Sequence, residues 1–212
     1  MHSCFHNDAV VVFSVYAQTM KLILASSSVR RAEILRDAGL HFTVISSAVD
    51  ETPIPGESPQ DLVARLAAAK GELVATRAIG PGIVIAADTV VVLEGRILGK
   101  PRSTDDARHM LEQLSGRSHS VLTGVTLIRL PDAERRNFVE STIVHFEALT
   151  PEEITRYLAT GESHDKAGAY AIQGRAGRYI PRIEGCYFNV VGLPLARLVR
   201  SLHGLGFSED ES

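Results

Sequence analysis

The most constraining feature of this chain is an uninterrupted apolar run near its middle, Ile83-Val84-Ile85-Ala86-Ala87. A strand that is apolar on both faces has to be covered on both, so the run predicts a central strand between layers of helix. Asp88 and Thr89 follow at once, and we expect them at the end of that strand, where open α/β sheets place ligands. The length of 212 residues, 45% of them hydrophobic, suits one compact domain or two closely fused lobes.

The elements on either side alternate between helix and strand patterns. Capping residues and apolar periodicity predict helices beginning after Ser28, Ser58, Ser103 or Thr104, and Thr150, the second reaching about Ala78, and a closing helix over 193–203. Strands are predicted at 21–25, 42–46, 83–87, 119–129 and 138–147, with a hairpin over 90–98 and short strands or loops at 169–172 and 179–189. The pattern predicts an α/β fold with a mixed, twisted sheet and flanking helices. No Gly-x-Gly-x-x-Gly follows the first strand, which disfavours the doubly wound dinucleotide fold.

Composition excludes several classes of partner. A formal net charge of −3 gives no polycationic surface for a nucleic acid backbone, although a few cations can still cluster around a small anion. No apolar run approaches the length of a membrane-spanning helix. Cys4 and Cys186 have no partner at a metal-ligand spacing, which fits a reducing compartment. We therefore expect a cytoplasmic protein that binds neither nucleic acid nor membrane.

The first 19 residues are treated apart from the fold. Their apolar stretch, residues 9–17, is short and no Lys or Arg precedes it, so it lacks the pattern of a secretory signal. We interpret residues 1–19 as a disordered extension or as an artefact of a start assigned too early, because Met20-Lys21 opens the first convincing element. The predicted domain is 20–206, with a tail at 207–212.

The first chemical signal is a conflict in the helix that follows Ser28. Arg30 and Arg31 occupy its first turn, where the helix dipole disfavours cations, and Arg31 also projects from the apolar face. A bound phosphate would resolve both conflicts, because helix N–H groups, the hydroxyl of Ser26 and two guanidinium groups would donate to it. The alternative is two solvated arginines, one paired with Glu33.

Two lysines extend this cationic set. Lys70 lies at the edge of the apolar face of the next helix, one turn after Leu66, and either snorkels to solvent or reaches into a cleft. Lys100 lies on a tight loop, Gly99-Lys100-Pro101, and by itself could equally be an ordinary surface lysine. Together with the arginines they describe four cations near the ends of elements, which suits a triphosphate.

Acidic and amide side chains complete the candidate site. Asp88 could bind a divalent cation or deprotonate a water, or it could be a capping aspartate. Glu51 is a candidate second metal ligand, with Asp50 as its nearest competitor. Gln173 has an amide that can read the edge of a base, although a loop glutamine at the surface is the plainer interpretation. The joint inventory favours a site for a metal and a triphosphate.

At these residues the sequence resembles the Maf family of nucleotide pyrophosphatases, from about Lys21 to about Leu202. Five ordered segments carry the resemblance: Leu24-Ala25-Ser26-x-Ser28-x-Arg30-Arg31-x-Glu33-x-Leu35, Ala87-Asp88-Thr89, Gly99-Lys100-Pro101, Asp165-Lys166-Ala167-Gly168-Ala169-Tyr170-x-Ile172-Gln173-Gly174 and Asn189-Val190-Val191-Gly192-Leu193-Pro194. Val29 departs from the family, which usually has proline there, and proline suits the first position of a helix.

The resemblance implies a fold like that of inosine triphosphate pyrophosphatases, with two lobes around a cleft, and usually a homodimer. It implies cleavage between the α and β phosphates with Mg²⁺ or Mn²⁺, and it gives Asp88 the position of the general base. The family's other phosphate and metal-side positions match Ser26, Arg30, Arg31, Glu51, Lys70 and Lys100.

The resemblance also implies a substrate class. Arg30, Thr89 and Gln173 match the specificity positions of the branch that prefers dTTP and UTP. The alternatives are hydrolysis of 7-methyl-GTP or inosine triphosphate, or a regulator of septum formation that binds nucleotides without hydrolysing them. Because Glu51 and Asp88 are both present, the sequence favours the enzyme.

Overall fold

The computed structural model describes residues 20–208, so the predicted extension at 1–19 lies outside the described residues. Seven strands of the described chain form one mixed sheet in the order β2-β1-β3-β5-β6-β7, with β4 paired to β3. The strands are β1 (Lys21–Leu24), β2 (Phe42–Val44), β3 (Gly82–Leu93), β4 (Arg96–Leu98), β5 (Ser118–Leu130), β6 (Arg135–His145) and β7 (Arg182–Glu184). The helices are α1 (Val29–Asp37), α2 (Pro59–Ala75), α3 (Thr104–Leu114), α4 (Pro151–Leu158), α5 (Tyr187–Val191) and α6 (Leu195–His203). The predicted α/β fold with a mixed sheet is confirmed.

The sheet is covered on both faces, as the central apolar run predicted. Along β3, Ile83 and Ile85 pack in one core cluster with residues of α1 and α6, while Val84 and Ala86 pack in another with Val74 of α2. Neighbouring residues of a strand point to opposite faces, so the two clusters lie on the two sides of the sheet. A further cluster, built from α3 and α4, covers the far halves of β3 and β5.

The position of Asp88 differs from the prediction. The strand does not end at Ala87, because β3 continues to Leu93 and also forms the first arm of the predicted hairpin. Its parallel pairing with β1 ends at Ile85, whereas its antiparallel pairing with β5 continues past Asp88. Asp88 therefore lies in mid-strand beside a free edge, and a polar residue is tolerated there because no neighbouring strand covers that edge.

Smaller differences concern element ends. The second strand ends at Val44, and α2 ends at Ala75 rather than near 78. The segment expected to hold short strands or loops contains two 3-10 turns, Ala167–Ala169 and Arg175–Tyr179, then β7 and the five-residue helix α5. A helix of five residues is too short to show a helical period in the sequence.

Phe207, which the prediction assigned to the tail, is buried in the core. Within residues 20–208, no helix is long and apolar enough to cross a membrane.

Candidate functional site

A cleft of about 890 Å³ opens at the free edge of β3. A smaller cavity of about 80 Å³ adjoins it and shares Arg30, Thr89 and Lys100 with it. All residues predicted to contact phosphate or metal line the cleft: Ser26, Arg30, Arg31, Glu51, Lys70, Asp88 and Lys100. Gln173 lines only the smaller cavity. The fold thus brings together side chains from β1 to the loop after the first 3-10 turn.

The first wall of the cleft is the turn between β1 and α1. Ser26 is buried, and its hydroxyl accepts a hydrogen bond from the backbone N–H of Ser28 at 3.2 Å. Ser28 is the N-cap of α1, as predicted, but its side chain makes no capping bond, and the first turn holds no acidic residue. The N–H groups at the start of α1 are therefore not neutralised by an acidic side chain in that turn, which suits an anion.

Arg31 has a different role from the predicted one. Its Nε donates to the carbonyl of Gly192 at 2.8 Å, and its Nη1 donates to Ser26 at 3.2 Å and to the carbonyl of Ala87 at 2.9 Å. Its Nη2 donates to Thr89 at 3.0 Å. A guanidinium group has five N–H bonds, so four of the five are engaged inside the protein. Arg31 thus connects the turn between β1 and α1 with β3 and with the residue that follows α5, and only one of its N–H bonds remains for a ligand.

Arg30 contrasts with its neighbour. Its side chain makes no hydrogen bond or ion pair within residues 20–208, and it lines both cavities. Burial lowers its pKa from the ordinary value, against the opposing charges of Asp165 and Glu33. Arg30 therefore keeps its donors available within the described residues.

Lys70 lies between the two predicted acids. It is buried on α2, and its Nζ contacts Asp88 Oδ1 at 2.6 Å and Glu51 Oε1 at 2.5 Å. The two carboxylate oxygens are thus no farther apart than the sum of these distances. Of the two interpretations of Lys70, the structure supports the lysine that reaches into the cleft.

The electrostatic balance at Glu51 follows from this contact. Burial is the largest single influence and disfavours the charged form. The hydrogen bond from Lys70 and the charges of Lys70, Lys100 and Arg31 outweigh it and lower the pKa of Glu51. Glu51 therefore stays ionised in a cleft rich in cations. Asp50, its competitor in the sequence, instead accepts hydrogen bonds from the backbone and hydroxyl of Thr52.

The donor set fits one kind of metal. Among the described residues there is no group of three or more His, Cys, Asp or Glu side chains that could hold an ion. Glu51 and Asp88 offer two carboxylates, and Asp88 Oδ2 has no hydrogen-bond partner in the described chain. Mg²⁺ is typically bound through one or two carboxylates, with waters and substrate phosphates completing its shell. The residues present therefore fit a hard divalent cation that is bound partly by these carboxylates and partly by a substrate phosphate.

The smaller cavity is lined by both apolar and polar side chains. Val91, Val121, Val190 and Val191 are among its apolar residues, and its polar groups come from Thr89, Gln173, Arg30, Lys100, Lys166 and Tyr170. Apolar walls with a few directional polar groups are typical of small-molecule sites. The three predicted specificity residues thus meet in one place.

Sequence reasoning missed several residues of the site. Lys166 lines both cavities and is paired with Asp165, and Tyr170 lines the smaller one. Both lie in the segment 165–174, which is one of the five that carry the family resemblance. Thr123 and Asn189 are fully buried behind Thr89. Asn189 opens the last of the five segments that carry the family resemblance, whereas the only sequence signal of Thr123 is a polar residue in an apolar strand pattern.

The fold and the cleft define an α/β protein with a cation-lined cleft beside a pair of carboxylates. Residues 21–205 match the family described as Maf-like protein, and the chain belongs to that family. Relatives named dTTP/UTP pyrophosphatase include those of Carboxydothermus hydrogenoformans, 50% identical over 89% of this chain and 100% of the relative, and of Symbiobacterium thermophilum, 51% identical over 88% and 95%.

Solved structures give weaker likenesses. The Ham1 protein of Staphylococcus aureus aligns with a TM-score of 0.42 at 18% identity, over 59% of this chain and 71% of its own. A nucleoside-triphosphatase, dITP/XTP pyrophosphatase, of Mycobacterium abscessus aligns with a TM-score of 0.36 at 16% identity, over 67% and 93%. These likenesses carry no weight for the fold or the function described above.

Proposed function

We propose that this protein hydrolyses dTTP and UTP, and modified pyrimidine triphosphates of the same shape, to the monophosphate and pyrophosphate. One observation carries the proposal: a cleft lined by cations and two carboxylates adjoins a ring-sized cavity that contains the predicted specificity residues. The relatives named dTTP/UTP pyrophosphatase, about half identical over most of this chain, support it.

Asp88 is proposed to accept the proton of the attacking water. Its Oδ1 is held by Lys70, and its Oδ2 has no partner within the described residues, so one oxygen is fixed while the other is available. A carboxylate held this way can orient a water toward the α phosphorus and take its proton. Glu51 and Asp88 would hold Mg²⁺ or Mn²⁺, whose charge offsets that of the phosphates.

The cations are proposed to stabilise the leaving pyrophosphate. Negative charge gathers on the leaving group in the transition state, so donors already in place lower the barrier. Arg30 and Lys100 line the open part of the cleft, and the start of α1 points N–H groups at it. Lys70 forms ion pairs with the two acids, while Arg31 holds Ser26 and Thr89 in position and offers one N–H.

The proposed enzyme is a homodimer located in the cytoplasm. The family resemblance supports a homodimer, and the cysteine usage supports a location in the cytoplasm.

A panel of triphosphates tests the function. Purified protein with Mg²⁺ should release pyrophosphate and the monophosphate from UTP and dTTP with higher kcat/KM than from CTP, inosine triphosphate or 7-methyl-GTP, and a chelator should abolish release. Turnover restricted to the two purine substrates would overturn the substrate class. Tight nucleotide binding without turnover at any metal would overturn the enzyme and favour the regulator.

A further inference from the structure

A chain of hydroxyl groups runs behind the smaller cavity. Thr89 of β3 and Thr123 of β5 are register partners, and their hydroxyl oxygens lie 3.0 Å apart. On one side, Arg31 Nη2 donates to the Thr89 hydroxyl at 3.0 Å. On the other side, the Thr123 hydroxyl donates to the backbone carbonyl of Asn189 at 3.2 Å. The chain thus begins at a group that only donates and ends at a group that only accepts.

These two ends fix the direction of every bond between them. A hydroxyl has one proton and two acceptor lone pairs. The Thr123 proton is used by the carbonyl of Asn189, so Thr123 cannot donate to Thr89. The proton between the threonines is therefore that of Thr89. With that proton committed and one lone pair occupied by Arg31, the Thr89 hydroxyl can offer a ligand one lone pair and no donor.

The surrounding packing keeps this arrangement in place. Thr123 and Asn189 are completely buried. The Asn189 side-chain amide donates to the carbonyl of Val121 and to the hydroxyl of Thr142, both at 3.0 Å, which fastens α5 to the sheet. The Thr123 hydroxyl thus has a fixed acceptor and no access to solvent that could substitute for it.

We propose that Thr123 is a positioning residue for specificity, because it forces Thr89 to act toward a base as an acceptor only. Uracil and thymine present a ring N3–H to such an acceptor, whereas the N3 of cytosine presents a lone pair. The inference rests on the proposed function and explains how the same cavity would reject CTP. Two acceptors facing each other between apolar walls would both stay unpaired, which is costly away from water.

The expected effect follows from one hydrogen bond. Thr123→Val keeps the shape of the side chain but removes the acceptor for the Thr89 proton, so the Thr89 hydroxyl can turn and donate to a cytosine N3. We expect the ratio of kcat/KM for UTP to that for CTP to fall roughly tenfold. A loss of packing alone would lower both values together and leave their ratio unchanged.

Two matched variants complete the experiment. Thr123→Ser keeps the hydroxyl and should restore the wild-type ratio. Thr126→Val removes another buried threonine of β5, which points to the opposite face of the sheet, and should leave the ratio unchanged. The proposal would be overturned if Thr123→Val kept the wild-type ratio. It would also be overturned if Thr123→Ser showed the same reduced ratio as Thr123→Val.

A measurement on the wild-type enzyme decides the matter if Thr123→Val does not fold. N3-methyl-UTP lacks the N3–H, so its kcat/KM should fall at least about tenfold below that of UTP. Equal turnover of UTP and N3-methyl-UTP would overturn the inference while leaving the pyrophosphatase intact. Absence of pyrophosphate release from UTP and dTTP alike would instead overturn the proposed function itself.

Discussion

Asp88 and Thr89 are neighbours on β3, yet the two faces of the strand give them opposite surroundings. Asp88 faces α2 and contacts one flexible lysine, and its second carboxylate oxygen has no partner in the described chain. Thr89 faces α1, and its hydroxyl is held between Arg31 and Thr123. Both reach the cleft because no strand pairs with residues 86–90 on the β1 side within the described region. The comparison shows how one strand can separate a reactive face from a recognition face.

The two cations beside these residues differ in the same way. Lys70 is a point charge on a flexible stem and contacts two carboxylates. Arg31 is a planar fork with four of its five N–H bonds in fixed contacts. We infer that the Asp88 side can rearrange around a ligand, whereas the Thr89 side is already in its final arrangement.

The largest expected effect comes from changing the reactive face alone. Asp88→Asn keeps the shape and the contact with Lys70 but removes the base, so kcat for UTP should fall about 10²–10⁴-fold. Single-turnover release of pyrophosphate measures it. Asp50→Asn, which changes the exposed acid next to Glu51, should lower kcat for UTP by less than about tenfold. Near-normal turnover of Asp88→Asn would remove Asp88 as the base.

The next effect separates the two arginines of α1. Arg31→Lys loses the planar fork that joins Ser26, Ala87, Thr89 and Gly192, so the free energy of unfolding should fall by about 2 kcal/mol or more. Arg30→Lys loses no internal hydrogen bond and should stay within about 0.5 kcal/mol of the wild type, with a higher KM. Urea denaturation compares them. Equal midpoints for the two variants would refute the fixed role of Arg31.

A third prediction concerns the charge balance beside Asp88. Lys70→Met removes the main group that lowers the pKa of Glu51, so that pKa should rise. A lowered pKa stabilises the fold above the unfolded-state pKa, and this stability is lost as the pH falls through the folded-state pKa. In the variant the loss should therefore be smaller and should be complete at a higher pH. Carboxyl carbon NMR titration without metal measures the pKa.

Lys100→Met is the matched control for that titration. Lys100 lowers the pKa of Glu51 less than Lys70 does, so its removal should give a smaller rise. An unchanged pKa in Lys70→Met would show that the contact between Lys70 and Glu51 does not persist in solution.

The smallest effect lies at the start of α1. Val29 is exposed, and it is the first residue of the helix, where proline fits. Val29→Pro should raise the free energy of unfolding by roughly 0.4–1 kcal/mol by restricting the unfolded chain. Val29→Ala, which leaves φ free, should not reproduce the gain. A lower stability in Val29→Pro would mean that the turn before α1 is not already preset for proline.

The sequence was enough to predict those features of the fold that depend on a local residue pattern. The apolar run gave the central strand, and Ser58 and Thr150 cap α2 and α4 through their side chains as expected. It placed Asp88 at a strand end because a charge normally interrupts an apolar strand, and the free edge that tolerates it depends on where β1 stops. Three of the four bonds of Arg31 and the chain through Thr123 join residues far apart in sequence, so no local pattern reveals them.

The central claim is that Asp88 directs water to the α phosphorus of a pyrimidine triphosphate. The most direct test is a single turnover of UTP in ¹⁸O-labelled water, with both products analysed by mass spectrometry. We predict that the label enters UMP and that the pyrophosphate remains unlabelled, with release slowed in Asp88→Asn. Label in the pyrophosphate, or stepwise release of orthophosphate, would contradict attack at the α phosphorus.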